Sequence, residues 1–523
     1  MSFIDFLLQH SPALIVAIPL LGAFLTPLIS KINNKVRNVF VILIILITTI
    51  LVMLLASDVF SGNIHTYVFG SQDLTVPLVR ILFEVDAMSA FMAIVGSILL
   101  LVSVIYSWSF IDENPGLDKY YTLVLLLAAG MFGMMLTGDM FNFFVFLEIT
   151  SIASCALIAF WTNKGKAVEA AFKYIVISSL AALFILFSIA LLYGQYNALN
   201  IAVLGSVIQF SYLDKIALVL LIAALAMKAG IVPMHMWLPD AYGRAPASVT
   251  IILIGATQAS LYGVFRVCFT LYGNTINLSS ASIGWIIVLL GLITMLIGVA
   301  MALIQSNFKR LIAFSAVAEI GFIFLGIGTG LTLFANNQMF GLIGTTAMSG
   351  GIFHIINDSL DVGLLFLVAG AVYYATKETS LDKMGGLARH MKYTTIFFII
   401  GLLAISGIPP MNGFASKLLI YESTFQLNPI LSIVAILSSI MLLAVFVKVF
   451  HSAFLGPALP KFNGVKEVPK TMLFAMGIIA SIIIIFGLFP YLVINNIVDP
   501  AVNALINYSD YIREVIPTFS GGF

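Results

Sequence analysis

Charge is what this sequence has least of. Only 9% of its 523 residues are Asp, Glu, Lys or Arg, where a water-soluble chain carries roughly 25%. That scarcity excludes a soluble globular enzyme and a disordered protein. The 24 Lys and Arg against 23 Asp and Glu leave a net charge of +1, and no Lys/Arg-rich run is present, so nothing recruits nucleic acid. Cysteine is almost absent. Cys155 and Cys268 lie in separate apolar runs, which excludes a disulfide scaffold and a metal cluster. The start of the chain lacks a basic segment followed by a short apolar stretch and an Ala-x-Ala-like site, so no cleaved signal peptide is expected.

What is abundant is apolar: 61% of the residues. A bilayer core takes about 20 apolar residues per helix, and fourteen such runs are legible, at about 12–30, 37–56, 86–110, 119–137, 139–161, 168–193, 213–233, 247–272, 283–304, 310–330, 338–375, 394–421, 429–454 and 471–495. They show none of the ten-residue alternation of a barrel strand. The expected fold class is therefore all-α, a polytopic bundle of about fourteen spans. The eleventh run is too long for one straight span, and its polar interior predicts a break.

Loop charge sets orientation. With the N-terminus outside, sixteen basic residues fall inside: Lys31, Lys35, Arg37, Lys119, Lys164, Lys166, Arg244, Lys309, Arg310, Lys377, Lys383, Arg389, Lys392, Lys461, Lys466 and Lys470. Only Arg80, Lys215 and Arg513 fall outside. A miscounted helix would mix the two sets, so both termini are expected outside. The loops are short, so any redox centre must sit in another chain.

Ionisable groups inside a bilayer are costly and mark a pathway or a partner. Glu148 lies about 14 Å of helix beyond Asp139, and Lys228 about 20 Å beyond Lys215, at 1.5 Å per residue. Neither reaches water easily. A structural ion pair is the plain reading; the surroundings favour more. Lys228 precedes Ala-Gly-Ile-Val-Pro233, and the run SGIPPMNGFASK sets Gly407, Pro409, Pro410 and Gly413 just before Lys417. Two interrupted apolar segments in corresponding halves, each with a lysine, point to inverted repeats around a midplane site.

A third patch, HIINDSLD, holds His354, Asn357, Asp358 and Asp361. His354 with Asp358, and Asn357 with Asp361, share a helix face, and two close carboxylates need not both ionise. One His with two Asp is a poor transition-metal set; a weak Na⁺ site at His354, Asp358 and Asp361 or a water-filled break are the open alternatives. Glu319, in FSAVAEIGF, is a further buried carboxylate, poised to pair with a neighbouring helix or to join a proton line. Arg266 and Lys448, near helix ends, read as anchors. The Met and Phe stripes read as packing, and GIGTG lacks the preceding strand of a nucleotide loop.

The segments TGDMFNFFVFLEITSIAS, EAAFKYIVIS, KAGIVPMHMWLPDAYGRAPASV, QSNFKRLIAFSAVAEIGF, LLFLVAGAVYYAT and GIPPMNGFASKLLIYE resemble the antiporter-like membrane subunits of respiratory complex I, of Mrp cation/proton antiporters and of energy-converting membrane-bound hydrogenases. The resemblance implies N-terminal helices over 1–118, inverted five-helix repeats over 119–272 and 283–454 with broken helices seven and twelve, and a last helix with tail over 455–523. It implies that Glu148 pairs with Lys228 and that Lys417 is the distal lysine. Two positions depart from the pattern. Where many members carry a lysine on helix eight this chain reads GATQASLYG, with Gln258 the nearest polar group. On helix eleven Asp358 and Val362 stand where a His and a Lys are common, and Glu319 replaces a common His or polar residue. These departures, with a tail too short for the lateral arm of the largest complex I subunit, favour the Mrp D-type or hydrogenase counterpart.

The expected function is proton, or Na⁺/proton, translocation through Glu148, Lys228, Gln258, Glu319, His354, Asp358, Asp361 and Lys417. A carboxylate favours a lysine's charged form and burial disfavours it, so Lys228 would keep its proton near Glu148 and give it up on separation. No cofactor or active-site chemistry is expected in the chain itself. The expected partners are other hydrophobic subunits and the lipid bilayer, with hydrophilic iron–sulfur redox subunits as a further set; the expected location is a prokaryotic plasma membrane. The rival reading is a non-conducting scaffold subunit. A free-standing solute carrier lacks the aromatic or Arg constellation that an organic substrate would need.

Overall fold

The computed structural model describes residues 3–69, 81–111, 115–277 and 279–517; Arg80, one of the basic residues expected outside, lies beyond them. Twelve helices among the described residues are long and apolar enough to cross a membrane: Ile4–Ser30, Asn34–Val59, Ala87–Phe110, Leu117–Leu136, Met140–Ile158, Gly165–Tyr196, Ala247–Leu271, Ser280–Leu303, Phe308–Leu333, Phe340–Thr376, Pro429–Leu455 and Lys470–Leu488. Two further segments cross in halves. One is Tyr212–Ala229 with Trp237–Arg244, the other Lys392–Ile405 with Asn412–Leu427. Numbered in chain order, the spans reach fourteen, and the interrupted ones are the seventh and twelfth, as the glycines and prolines predict. A two-stranded antiparallel hairpin, His65–Val68 with Leu82–Val85, stands between spans two and three.

Side-chain caps set where several spans begin. Asp86 accepts from the Ser89 amide at 3.0 Å ahead of span three, Asp139 from Asn142 at 2.7 Å ahead of span five, and Asn307 from Arg310 at 3.1 Å ahead of span ten. Ser211 and Asp214 close a reciprocal capping box at the start of span seven. Each satisfies a backbone donor that the helix leaves over.

Spans eight, ten and eleven are buried throughout their most apolar stretch, whereas in the first and last only a third of that stretch is buried. These three make the centre of the bundle. Spans nine and ten meet through glycines: a methyl at Gly298 would stand 2.5 Å from the Ala318 nitrogen, and one at Gly291 2.9 Å from the Gly321 carbonyl. Small residues let helices approach closely where lipid supplies no hydrophobic drive. Gly298→Leu is expected to force these helices apart and to destabilise the protein by about 1–3 kcal/mol, read as a lower midpoint in thermal unfolding of the detergent-solubilised protein.

The eleventh span differs from expectation. Its helix runs without a break from Thr345 to Thr376, straight through His354–Asp361, after one π-helical turn at Phe340–Gly344. Side chains of other spans answer His354, Asn357 and Asp358, so the helix stays closed there although one oxygen each of Asp358 and Asp361 has no hydrogen-bond partner. Three basic residues also sit elsewhere than the sequence suggests. Arg37, counted with the inside loops, is buried in the first turn of span two. Lys309, counted with the inside loops, is in the first turn of span ten and buried, donating to the Ala245 carbonyl. Arg266 is no anchor at the rim: it is buried and paired with Asp86. Lys448 does lie near a helix end, where it donates to the Leu303 carbonyl at 2.9 Å.

Candidate functional site

Both interruptions turn at a glycine in the left-handed region, Gly230 at φ +81° and Gly407 at φ +69°, which a side chain would strain. Gly230 ends its half-helix with the Ile231 amide bonded back to the Ala226 carbonyl at 3.0 Å, a Schellman-type closure. The Trp237 indole donates to the Met227 carbonyl at 2.9 Å, and the Val232 amide to Thr294 Oγ1 at 3.1 Å. A carbonyl and an amide at the break are thus both taken up by neighbouring side chains.

Lys228 occupies the last turn before that break, 8% exposed. Its ammonium donates to Ser178 Oγ at 2.6 Å and to Ser151 Oγ. The expected Glu148–Lys228 ion pair is not made. Glu148 Oε1 has no hydrogen-bond partner, and the residue is half-buried at the bundle flank. Ser151, one turn beyond Glu148 on span five, has taken the place expected for the carboxylate. A cavity of about 20 Å³, lined by Lys228, Ser151, Tyr174, Trp237, Thr257 and Ser260, leads from this lysine to span eight. That is room for about one water.

On span eight, Gln258 Nε2 donates to Asp358 Oδ2 at 2.6 Å, and its neighbour Thr257 bonds the Tyr242 hydroxyl at 2.6 Å. Gln258 therefore ties spans eight and eleven together. Four residues before Asp358, His354 places Nδ1 2.9 Å from Ser416 Oγ and Nε2 2.8 Å from Glu319 Oε2. Glu319 Oε1 accepts from Lys417 at 2.8 Å, and Lys417 also donates to the Ile405 carbonyl at 2.6 Å. That carbonyl is at the end of the leading half of span twelve, where a helix presents negative charge. Asn357 and Asn412 exchange bonds at 3.1 and 3.0 Å, while Asp361 lies against Gly413, whose missing side chain leaves it space: a methyl there would stand 3.1 Å from Asp361 Oδ2.

Spans ten, eleven and twelve thus bring Glu319, His354 and Lys417 together, an assembly that sequence spacing alone does not reveal. Ser151, Ser178, Tyr242, Asn412 and Ser416 were also missed; as hydroxyls and amides in apolar runs they gave no signal beyond their polarity. The weak Na⁺ set of His354, Asp358 and Asp361 does not converge. Each has a different neighbour, and no group of three or more His, Cys, Asp or Glu able to hold a metal occurs among the described residues.

A fourteen-span helical bundle with two interrupted helices and a buried polar line between two lysines defines a class: the antiporter-like, multi-pass membrane subunits. The family model described as NADH:quinone oxidoreductase/Mrp antiporter, transmembrane, matches residues 137–442. The chain belongs to that family. It is 28% identical over 516 residues to NADH-quinone oxidoreductase subunit N of Desulforudis audaxviator, covering 94% of this chain and 98% of that one. It is 29% identical over 518 residues to Na⁺/H⁺ antiporter subunit A1 of Staphylococcus aureus, spanning 94% of this chain and 62% of that longer protein. Among solved structures, a chain of the Mrp complex of a Dietzia species superposes with a TM-score of 0.85 at 25% identity, over 97% of this chain and all of that one (100%). A chain of the membrane-bound sulfane sulfur reductase, an archaeal respiratory membrane complex, gives 0.83 at 27%, over 96% and 99%. Both are multisubunit membrane assemblies.

Proposed function

We propose that this chain translocates protons, or exchanges them for Na⁺, as one subunit of a multisubunit complex in a prokaryotic plasma membrane, with both termini outside. Residues 119–272 and 283–454 act as the inverted repeats, each contributing one interrupted helix. The route runs from Lys228 across the small cavity to Thr257, through Gln258 and Asp358, along the His354–Asp361 face of span eleven, and out by Glu319 and Lys417. Glu148, at the flank, is where an adjoining hydrophobic subunit changes the charge felt by Lys228. In a redox-driven assembly, hydrophilic iron–sulfur subunits supply the drive; in an Mrp-like one, an ion gradient does. No cofactor is assigned to this chain.

The observation that carries this reading is the Gln258–Asp358 bond. Where the expected lysine is missing, a polar contact rather than apolar packing fills the middle of the bundle. Gln258→Leu removes the donor and leaves the buried Asp358 carboxyl unpaired, which costs about 1–3 kcal/mol. In the assembled complex reconstituted into vesicles, translocation is expected to fall at least tenfold. An unaltered rate would instead favour the scaffold reading, in which this contact only holds helices together.

A further inference from the structure

Buried ionisable groups outside this route gather at one end of the bundle, where the strand Leu82–Val85, span three, span eight and the helix Tyr508–Val515 meet. Glu84 and Asp86 are two residues apart in extended chain and so share a face. They are 0% and 2% exposed. Arg266 pairs with Asp86 Oδ1, which also accepts from the Ser89 amide, and its guanidinium stacks over Tyr511, 4.6 Å from the ring centroid. The Tyr511 hydroxyl faces Glu84, in a geometry too poor for a directed bond, and Glu84 Oε1 and Oε2 and Asp86 Oδ2 likewise have no hydrogen-bond partner. Glu84 Oε2 and that hydroxyl lie close together, 3.1 and 3.4 Å from one point beside Gly138, whose lack of a side chain keeps the space free. Buried polar atoms almost always have partners, so carboxylate oxygens left over beside an open cavity leave room for a ligand.

The chemistry of the ligand follows from the donors. All are oxygen, the set that hard cations take. Burial holds the Glu84 carboxyl well above the usual carboxylate range, so a bound cation displaces its proton; the two carboxylates then stand against one guanidinium at a net charge of −1, which matches one monovalent cation and is too little for a divalent one. Access is present as well. Asp86 and Tyr511 line a cavity of about 320 Å³ that joins, through Asn63 and Asp510, a wider one of about 640 Å³ lined also by Asp58, Glu514 and Arg513. Asp58, Asp510 and Glu514 stand there against Arg513 and against His65, which bonds Asp58 at 2.6 Å, a balance that still favours cations.

We propose that Glu84, Asp86 and Tyr511 form a binding site for a single Na⁺-class cation, reached from this acidic mouth and separate from the Lys228–Lys417 line. The inference builds on the ion-translocation reading by naming where the cation first binds, yet it is testable without transport. NaCl is titrated into the intact detergent-solubilised complex against choline chloride at constant ionic strength, and the unfolding midpoint is followed, because a ligand that binds only the native state raises it. Na⁺ should raise the midpoint more than K⁺ does. Glu84→Gln should move the half-maximal Na⁺ concentration up at least tenfold, and Lys228→Ala should leave it where it is. Should the Glu84 variant fail to assemble, Tyr511→Phe, which keeps both carboxylates, carries the test with an expected severalfold weakening. A wild-type complex indifferent to Na⁺, or variants at Glu84 and Tyr511 with wild-type response, overturns the site. A Na⁺ response intact in a Lys228→Ala complex that no longer transports keeps the site and the transport reading distinguishable.

Discussion

Lys417→Ala is expected both to stop translocation and to destabilise the protein severely, because it strands a charge. Glu319 is 1% exposed and takes its two contacts from Lys417 and His354. Removing one partner of a buried ion pair costs about 3–5 kcal/mol, since the remaining charge stays out of water. The stability loss has a diagnostic remedy. The double substitution Glu319→Gln, Lys417→Met removes both charges at similar volume, which is often neutral or stabilising; thermal unfolding should return close to wild type while proton uptake into vesicles stays absent. Recovery of transport together with stability would show that this pair only braces the helices.

Lys228→Ala is expected to abolish translocation just as completely, at little cost to stability. The acceptors around Lys228 are neutral hydroxyls, and Ser151 Oγ already donates to the Leu147 carbonyl at 2.6 Å, so no charge is left stranded. The change in unfolding free energy should stay within about 1 kcal/mol. Normal pumping by the Lys228→Ala complex would end the proposed route. The two lysines thus separate in their stability signature although they share one in transport, and the difference traces to Glu319 facing one and two serines facing the other.

The sequence was most informative where a single physical demand dominates. Apolar run length fixes the spans, and Gly230, Pro233, Gly407 and Pro410 mark both interruptions, because backbone breaks in a bilayer are rare and have few causes. The eleventh span shows the limit of that logic. Polar residues also accompany an intact helix when side chains on other spans answer them, and nothing near His354 in the chain announces Glu319, Ser416 or Asn412 as the answering groups. The same limit explains the Glu148–Lys228 pair. Residue types alone favour carboxylate with ammonium, while packing brought Ser151 and Ser178 closer. Arg266 and Lys309, read as rim and loop residues from their places in the chain, turned out buried because Asp86 and the Ala245 carbonyl, distant in sequence, receive them.

Lys417 holds a carboxylate with one hydrogen and, with another, the carbonyl of Ile405 that terminates the preceding half-helix. A bond from an ammonium is roughly twice as strong as one from a neutral amine. Giving up its charge would therefore slacken the clasp on the hinge at the same moment as it altered the electrostatics, so that occupancy and shape at this joint would be read from one and the same atom.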